Sequence, residues 1–322
     1  MQSIKNKFSP LASESVPRYA GIATFMRLPH MDIQDSEGAQ IGLYGLPWDG
    51  GTTNRAGARH GPRDMRDASA MMRKMHPVLN LSPYELANCA DFGDAPVNPL
   101  MIEETLDKIE TFVSSMVDRN IVPLGAGGDH LVSLPVLRAL AKKHGPMGMV
   151  HFDAHTDTWD RYFGGCKYTH GTPFRRAIEE GILDPKRIVQ IGIRGGLYSE
   201  SDDDWGLEQG IRVMRMEEFT ELGVEKAIEV ARSVVGDQKT YVSFDVDCID
   251  PAFAPGTGTP EIGGLTTVQA QQMVRGLLGL NLIGGDVVEV APPFDQTGTT
   301  ALVGATIMWE ILCLLSEKVS RG

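Results

Sequence analysis

Met147-Gly-Met-Val-His-Phe-Asp153-Ala-His155-Thr-Asp157 is the stretch on which the fold turns. It opens as an apolar run of the kind a buried strand carries, then delivers three residues of metal-binding type at alternate positions. Side chains at i, i+2 and i+4 of a strand share a face, so the spacing predicts that Asp153, His155 and Asp157 converge. The run 240–245 repeats the pattern with Asp245 and Asp247, and the run 121–124 leads through glycines into Gly127-Gly-Asp-His130. Carboxylates buried together repel one another unless cations neutralise them. Four acids carry the charge of two divalent ions, and the set predicts a binuclear metal centre that activates water. One Asp-x-Asp or Asp-x-His means little, because such pairs cap helices and fill turns. Three clusters, each after an apolar run and each near glycine, would need three separate structural excuses.

Outward from these strings the chain alternates. Strands are expected at 41–47, 85–91, 121–124, 147–153, 188–193, 211–214, 240–245 and 282–290. Helices are expected near 103–119, 131–144, 172–181, 217–235, 267–279 and 299–318. Several strand runs are continuous in Val, Ile, Leu and Met, as befits parallel strands covered on both faces. Strand–helix alternation implies right-handed crossovers, and in such sheets ligands bind beyond the carboxyl ends of the strands, where the acids lie. Gly125, Gly127 and Gly128 lack the Lys-Ser/Thr of a phosphate-binding loop, and read as a close backbone approach beside the metals.

The 322 residues are 42% hydrophobic with 36 glycines, which suits an α/β enzyme with many strand-to-loop turns. Residues 38–322 read as a single catalytic domain. Residues 1–37 read as an N-terminal arm over its surface or over a neighbouring subunit. A net charge of −12 argues against nucleic acid or an anionic membrane as partner, and favours no particular cation. No uninterrupted apolar stretch is long enough to cross a bilayer, and Met1-Gln-Ser-Ile-Lys-Asn-Lys-Phe8 lacks a signal-peptide core. Cys89, Cys166, Cys248 and Cys313 are scattered, which predicts reduced thiols in the cytoplasm.

In its motifs the chain resembles the ureohydrolase family: arginase, agmatinase, and the guanidinobutyrate and guanidinopropionate hydrolases. The resemblance is carried by Gly127–His130, by Asp153–Asp157 and by Ser243-Phe-Asp-Val-Asp-Cys-Ile-Asp-Pro251. It continues through Ala254-Pro-Gly-Thr-Gly-Thr-Pro-Glu-Ile-Gly-Gly-Leu265 and Asp286-Val-Val-Glu-Val290, with Arg59-His-Gly-Pro-Arg63 nearer the amino terminus. It spans residues 40 to 315 in family order. It implies a three-layer α/β/α fold with an eight-stranded, mostly parallel sheet, in homotrimers or homohexamers. A hetero-oligomer with a paralogous subunit is the alternative.

By position, the resemblance gives one ion His130, Asp153, Asp157 and Asp245, and the other Asp153, His155, Asp245 and Asp247, so Asp153 and Asp245 bridge. Manganese is the family's usual ion; nickel, which also suits imidazole, is the alternative. A guanidinium carbon is a poor electrophile, and metal coordination answers this by lowering the pKa of water from about 15.7 to about 7. The resemblance makes Asp157 the relay of a proton to the leaving nitrogen, and His170 in Tyr168-Thr-His-Gly171 the shuttle to bulk water. It also implies that Glu289 is the carboxylate that pairs with the guanidinium. The products would be urea and an amine.

Substrate choice rests on Thr158-Trp-Asp-Arg-Tyr-Phe163. Trp159 stands where arginases place Asn, which argues against an amino-acid substrate. Residues 160–164 and 172–176 look most like guanidinopropionate hydrolases, so 3-guanidinopropionate or 4-guanidinobutyrate is expected. Trp159, Arg161, Tyr162 and Glu289 would touch it, and Arg161 would meet its carboxylate. Trp159 as an apolar or cation–π wall suits the alternative, a carboxylate-free guanidine such as agmatine or a biguanide such as metformin. Two other classes compete. Intact ligand positions argue against a catalytically silent partner subunit, and the Asp-Val-Asp and Gly-Thr-Gly-Thr-Pro strings argue against a metal-dependent deacetylase.

Overall fold

The computed structural model describes residues 7–322. Eight strands form one sheet: β1 (Ile41–Leu46), β2 (Cys89–Asp94), β3 (Val122–Gly127), β4 (Met147–Phe152), β5 (Leu183–Ile193), β6 (Arg212–Arg215), β7 (Thr240–Asp245) and β8 (Leu282–Val288). Their order is β2-β1-β3-β8-β7-β4-β5-β6, and every neighbouring pair is parallel. Parallel pairing demands crossovers, and the helices that supply them cover both faces. Helices Gly61–Ser69, Met216–Val235, Thr267–Arg275 and Thr299–Ser320 enclose one core layer. Helices Ile102–Val117, Ser133–His144 and Pro173–Glu179 enclose the other. The central strands β4, β7 and β8 are buried along their whole length, which is why their sequences do not alternate.

Several boundaries differ from the sequence reading. Residues 85–91 are not one strand: Pro83–Leu86 is a short helical turn begun by Pro83, and β2 starts at Cys89. Of the glycines expected to form a turn after residue 124, Gly125 and Gly127 lie within β3, which runs to Gly127, and Gly128 follows it. β8 stops at Val288 because Glu289 takes a left-handed φ of 64° and leaves the ladder. Helix Gly61–Ser69 was hidden by Gly61-Pro62, which reads as loop punctuation, yet proline in the first turn costs a helix no hydrogen bond.

Helix Thr299–Ser320 is long and apolar enough to cross a membrane by length and composition alone, but most of it is packed inside the molecule. Its interior Glu310 pairs with His76 and Arg275. The first six residues of the expected arm lie outside the described residues. Further along it, Phe25, Met26 and Leu28 are buried in the core, and the Arg66 guanidinium lies 4.3 Å from the Phe25 ring centroid while pairing with Asp91. All four cysteines are free.

Candidate metal centre

β3, β8, β7 and β4 are consecutive neighbours in the sheet, so their carboxyl ends open onto one place. The loop after β3 brings His130, that after β4 brings Asp153, His155 and Asp157, and that after β8 brings Glu289. β7 ends on Asp245, with Asp247 in the turn Val246–Cys248 beyond it. Convergence does not follow from strand alternation: β4 ends at Phe152, and Asp157 reaches the cluster from a loop with a φ of 51°. Gly128 admits no side chain, since a Cβ there would lie 1.9 Å from the Trp48 carbonyl oxygen. That is the close backbone approach the glycine run suggested.

His130 Nδ1 faces Asp153 Oδ2 at 3.0 Å, Asp157 Oδ2 at 3.0 Å and Asp245 Oδ2 at 3.2 Å. It is buried and makes no hydrogen bond among the described residues. The other ring nitrogen explains why. Ser243 donates its hydroxyl to Asp286 Oδ1 at 2.7 Å and so accepts from His130 Nε2 at 2.8 Å. The ring proton therefore sits on Nε2, and Nδ1 offers a bare lone pair among three carboxylate oxygens. His155 Nδ1 stands 3.1 Å from Asp247 Oδ2 and 3.4 Å from Asp153 Oδ1. Asp153 thus turns one oxygen to each histidine. Backbone amides hold the acids in place: His155 N–H donates to Asp153 Oδ1, Asp247 N–H to Asp245 Oδ1, and Ala154 N–H to Asp247 Oδ1.

Burial alone would lower the pKa of the His130 ring, but the surrounding carboxylates of Asp153, Asp157 and Asp245 drive it well above the ordinary range. His155 is likewise raised, against burial, by Asp247 and Asp153. Burial and the charges of Asp247 and Asp153 push Asp245 well up, and burial with Asp153 raises Asp247. Asp153 alone of the set moves down, its burial outweighed by three histidines. Protein groups by themselves can hold this cluster only by retaining extra protons. Divalent cations would satisfy the same oxygens without them. An orphaned imidazole nitrogen inside a carboxylate cage fits an oxygen-rich divalent site.

Glu289, also buried, accepts on Oε1 from the His130 backbone N–H at 2.9 Å and from His170 Nδ1 at 2.9 Å. Its Oε2 has no hydrogen-bond partner among the described residues. His170 Nε2 meets the Thr53 amide at 3.1 Å and the Thr53 hydroxyl at 2.7 Å. Burial opposes charge on this ring, but Glu289, Asp157 and Asp129 overcome it and hold its pKa up at about 9. In the neutral ring the Thr53 amide donates to Nε2 and the ring proton sits on Nδ1, toward Glu289. In the charged ring Nε2 donates to the Thr53 hydroxyl oxygen instead.

Above the cluster opens a cavity of about 450 Å³, lined by Asp157, Trp159, Tyr162, His170, Asp245 and Asp247 among others. Trp159 packs edge-on against Tyr198 with centroids 5.5 Å apart, and tilted against Tyr162 at 5.6 Å. Arg161 is not brought to this wall. Its side chain is 54% exposed and its Nε bonds Asp160 Oδ2 at 2.7 Å, because the adjacent acid gives it a partner in solvent. No Lys or Arg lines the cavity among the described residues. The sequence reading missed Thr53, Asn54 and Tyr198, which also line it and come from loops without an acid or imidazole motif; Glu261, which lines it too, was quoted only within the string Ala254–Leu265 and given no part in the site. It also missed His151, although that residue lies two before Asp153, in the same strand phase.

The chain matches the arginase-family model over residues 39–314. Guanidinopropionase of Pseudomonas aeruginosa is 62% identical over 97% of this chain and 98% of its own length. Among solved structures, proclavaminate amidinohydrolase of Streptomyces clavuligerus superposes with a TM-score of 0.89 at 40% identity, covering 94% of this chain and 99% of that one. Formiminoglutamase of Trypanosoma cruzi with two manganese ions gives a TM-score of 0.78 at 27% identity, covering 88% and 95%.

Proposed function

This chain belongs to the arginase family, and from that premise we propose that it is a binuclear-metal amidinohydrolase. It cleaves 3-guanidinopropionate, or the homologous 4-guanidinobutyrate, to urea and an amino acid. The observation that carries the reading is His130 Nδ1, unpaired and ringed by three carboxylate oxygens, together with the similarity to a guanidinopropionase. His130, Asp153, Asp157 and Asp245 would hold one ion, and Asp153, His155, Asp245 and Asp247 the other. When bound, the ions would supply the Lewis acidity that makes water nucleophilic near neutral pH. Manganese, which a structural relative contains, is the proposed ion, and nickel the alternative.

The chain's own groups do the rest. Glu289 presents an unpartnered carboxylate oxygen in a buried setting, which a guanidinium cation neutralises by charge-assisted hydrogen bonding. Asp157, beside His130, holds the proton taken from water and passes it to the nitrogen that leaves as amine. His170 exchanges protons with solvent through Nε2 and Thr53. Water's oxygen ends in urea and both its protons end on the leaving nitrogen, so that guanidinium and water give urea and an ammonium group.

A second reading is favoured by the cavity wall. Trp159 and Tyr198 form an aromatic surface and no Lys or Arg lines the cavity among the described residues, which suits agmatine, an alkylated guanidine or a biguanide. We further propose one catalytic domain over residues 38–322 with an arm at 1–37, a cytoplasmic setting, and a homotrimer or homohexamer. Pairing with a silent paralogue is the alternative assembly.

The test is urea release from 3-guanidinopropionate, 4-guanidinobutyrate, arginine, agmatine and metformin, with metal-stripped protein reloaded separately with manganese and nickel. Highest kcat/KM on a guanidino acid is expected, with two ions per chain by elemental analysis. Preference for a carboxylate-free guanidine would select the second reading, and no urea from any compound would defeat both. Asp153→Ala and Asp245→Ala should lose both ions on dialysis more readily than His130→Ala, since only the first two residues bridge.

A further inference from the structure

One residue layer below the ligands, Asp286 of β8, Ser243 of β7, His151 of β4 and Gln190 of β5 lie in register across four adjacent strands. All four are fully buried, where a polar side chain is costly unless bonded. Asp286 and Ser243 use this layer to orient His130. The other half of the layer faces Asp153, through a residue to which the mechanism above gives no part.

His151 Nε2 lies 2.8 Å from Asp153 Oδ2, the oxygen that also stands 3.0 Å from His130 Nδ1. Gln190 Nε2 lies 2.6 Å from the Thr156 carbonyl oxygen and 3.0 Å from His151 Nδ1. The carbonyl can only accept, so the nitrogen end of the Gln190 amide must face it. The second amide hydrogen then goes to His151 Nδ1, which must accept. The ring proton is thereby placed on Nε2 and donated to Asp153. A ring nitrogen carrying that proton cannot also be a metal ligand, although His130, His151 and Asp153 bring ligand atoms within 4.8 Å of one another. Phe174 closes the ring's remaining side, with centroids 4.5 Å apart.

We propose that His151, oriented by Gln190, is a positioning residue that fixes the Asp153 carboxylate and so sets the affinity of the ion on the His130 side. The inference rests on the reading of Asp153 as a bridging ligand. Asp153 Oδ1 is held separately by the His155 amide at 2.6 Å, so the ion on the His155 side has its own support. Loss of the His151 contact should therefore act unequally on the two ions.

The experiment titrates metal-stripped full-length protein with Mn2+ by calorimetry, with electron paramagnetic resonance to separate paired from isolated ions. Wild type should take up two ions with a paired signature. His151→Phe keeps an aromatic ring against Phe174 and removes the donor, while Gln190→Leu keeps the histidine and releases its tautomer. Each should weaken one ion by roughly 10–100-fold, leave the other within about threefold, and convert the paired signature to an isolated one at limiting metal. Two unchanged affinities in either folded variant would overturn the proposal, as would equal weakening of both. Should His151→Phe fail to fold, Gln190→Leu decides by the same criteria. Wild type that takes up no manganese would instead remove the bridging-ligand reading, and the inference with it.

Discussion

Glu289 Oε1 lies 2.9 Å from both His170 Nδ1 and the His130 backbone nitrogen, so one carboxylate oxygen ties a proton-carrying ring to the loop that presents a ligand. The other oxygen has no partner among the described residues, and it is the one proposed to meet the guanidinium. Glu289→Gln can preserve the first role, since an amide oxygen still accepts, but turns an N–H toward the guanidinium. Each charge-assisted contact is worth roughly 1.5–3 kcal/mol, so kcat/KM should fall about ten- to 150-fold with both ions retained. Elemental analysis beside steady-state kinetics checks this, and near-normal kcat/KM would show Glu289 to be a structural acid.

Gly195 presses on the exposed side of a proposed ligand. A Cβ there would lie 2.6 Å from His155 Cδ2 and 3.2 Å from its Nε2, closer than side chains tolerate. Because that ring faces the cavity and is partly exposed, it can swing away and the fold should survive. Gly195→Ala should therefore lower affinity for the ion on the His155 side about tenfold or more, as loss of ligand orientation does, with little change in Tm. Unchanged metal binding would mean that the loop, not His155, gives way.

The site was more legible than the path the chain takes to it. Acids placed directly after the apolar runs of β4 and β7 signal strand ends, and buried parallel strands leave no other place for them. The reason first offered, alternation along a strand, fails for Asp157 because a left-handed turn brings it in. Backbone conformation of that kind leaves no periodic trace in sequence. Glu289 was recognisable from its motif, yet its strand was read two residues too long because Val290 continues the apolar run past the bend. His151 was readable by phase, but a histidine among Val and Phe does not reveal whether its partner is a metal, a carboxylate or an amide. Phe25 and Leu28 escaped because their segment packs through a short turn with no period.

Glu310 tests what holds the long core helix in place. It is buried, with His76 Nε2 at 2.7 Å from Oε2 and Arg275 Nη2 at 2.5 Å from Oε1, and it links helix Thr299–Ser320 to helix Thr267–Arg275 and to the loop before β2. Removing one member of a buried pair leaves the other charge uncompensated, at a cost of about 3–5 kcal/mol. Arg275→Ala should cost nearly this much in urea unfolding, somewhat less because Arg275 is partly exposed. The double variant Arg275→Leu/Glu310→Leu should recover most of the loss. An Arg275→Ala variant within about 1 kcal/mol of wild type would show that His76 alone compensates the carboxylate.

Arg161 and Tyr162 are adjacent in sequence but face different surroundings, and that difference bears on the substrate's tail. Arg161 points to solvent and bonds Asp160, an exposed pairing that contributes about 0–1 kcal/mol. Tyr162 lines the cavity and packs against Trp159. If a guanidino acid is the substrate, its carboxylate needs a donor, and with no Lys or Arg on the wall among the described residues, we propose the hydroxyl of Tyr162, which lines the cavity, for that part. Tyr162→Phe should then raise KM for 3-guanidinopropionate by about tenfold or more, the value of a hydrogen bond to a charged group, and leave agmatine unaffected. Arg161→Ala should change neither KM by more than about twofold. A tenfold KM increase for the guanidino acid in Arg161→Ala would mean that the loop turns inward on binding and restores the contact first expected of that arginine. A Tyr162→Phe enzyme unaltered toward both compounds, with Trp159→Asn inactive, would instead favour an aromatic wall built for a tail without a carboxylate.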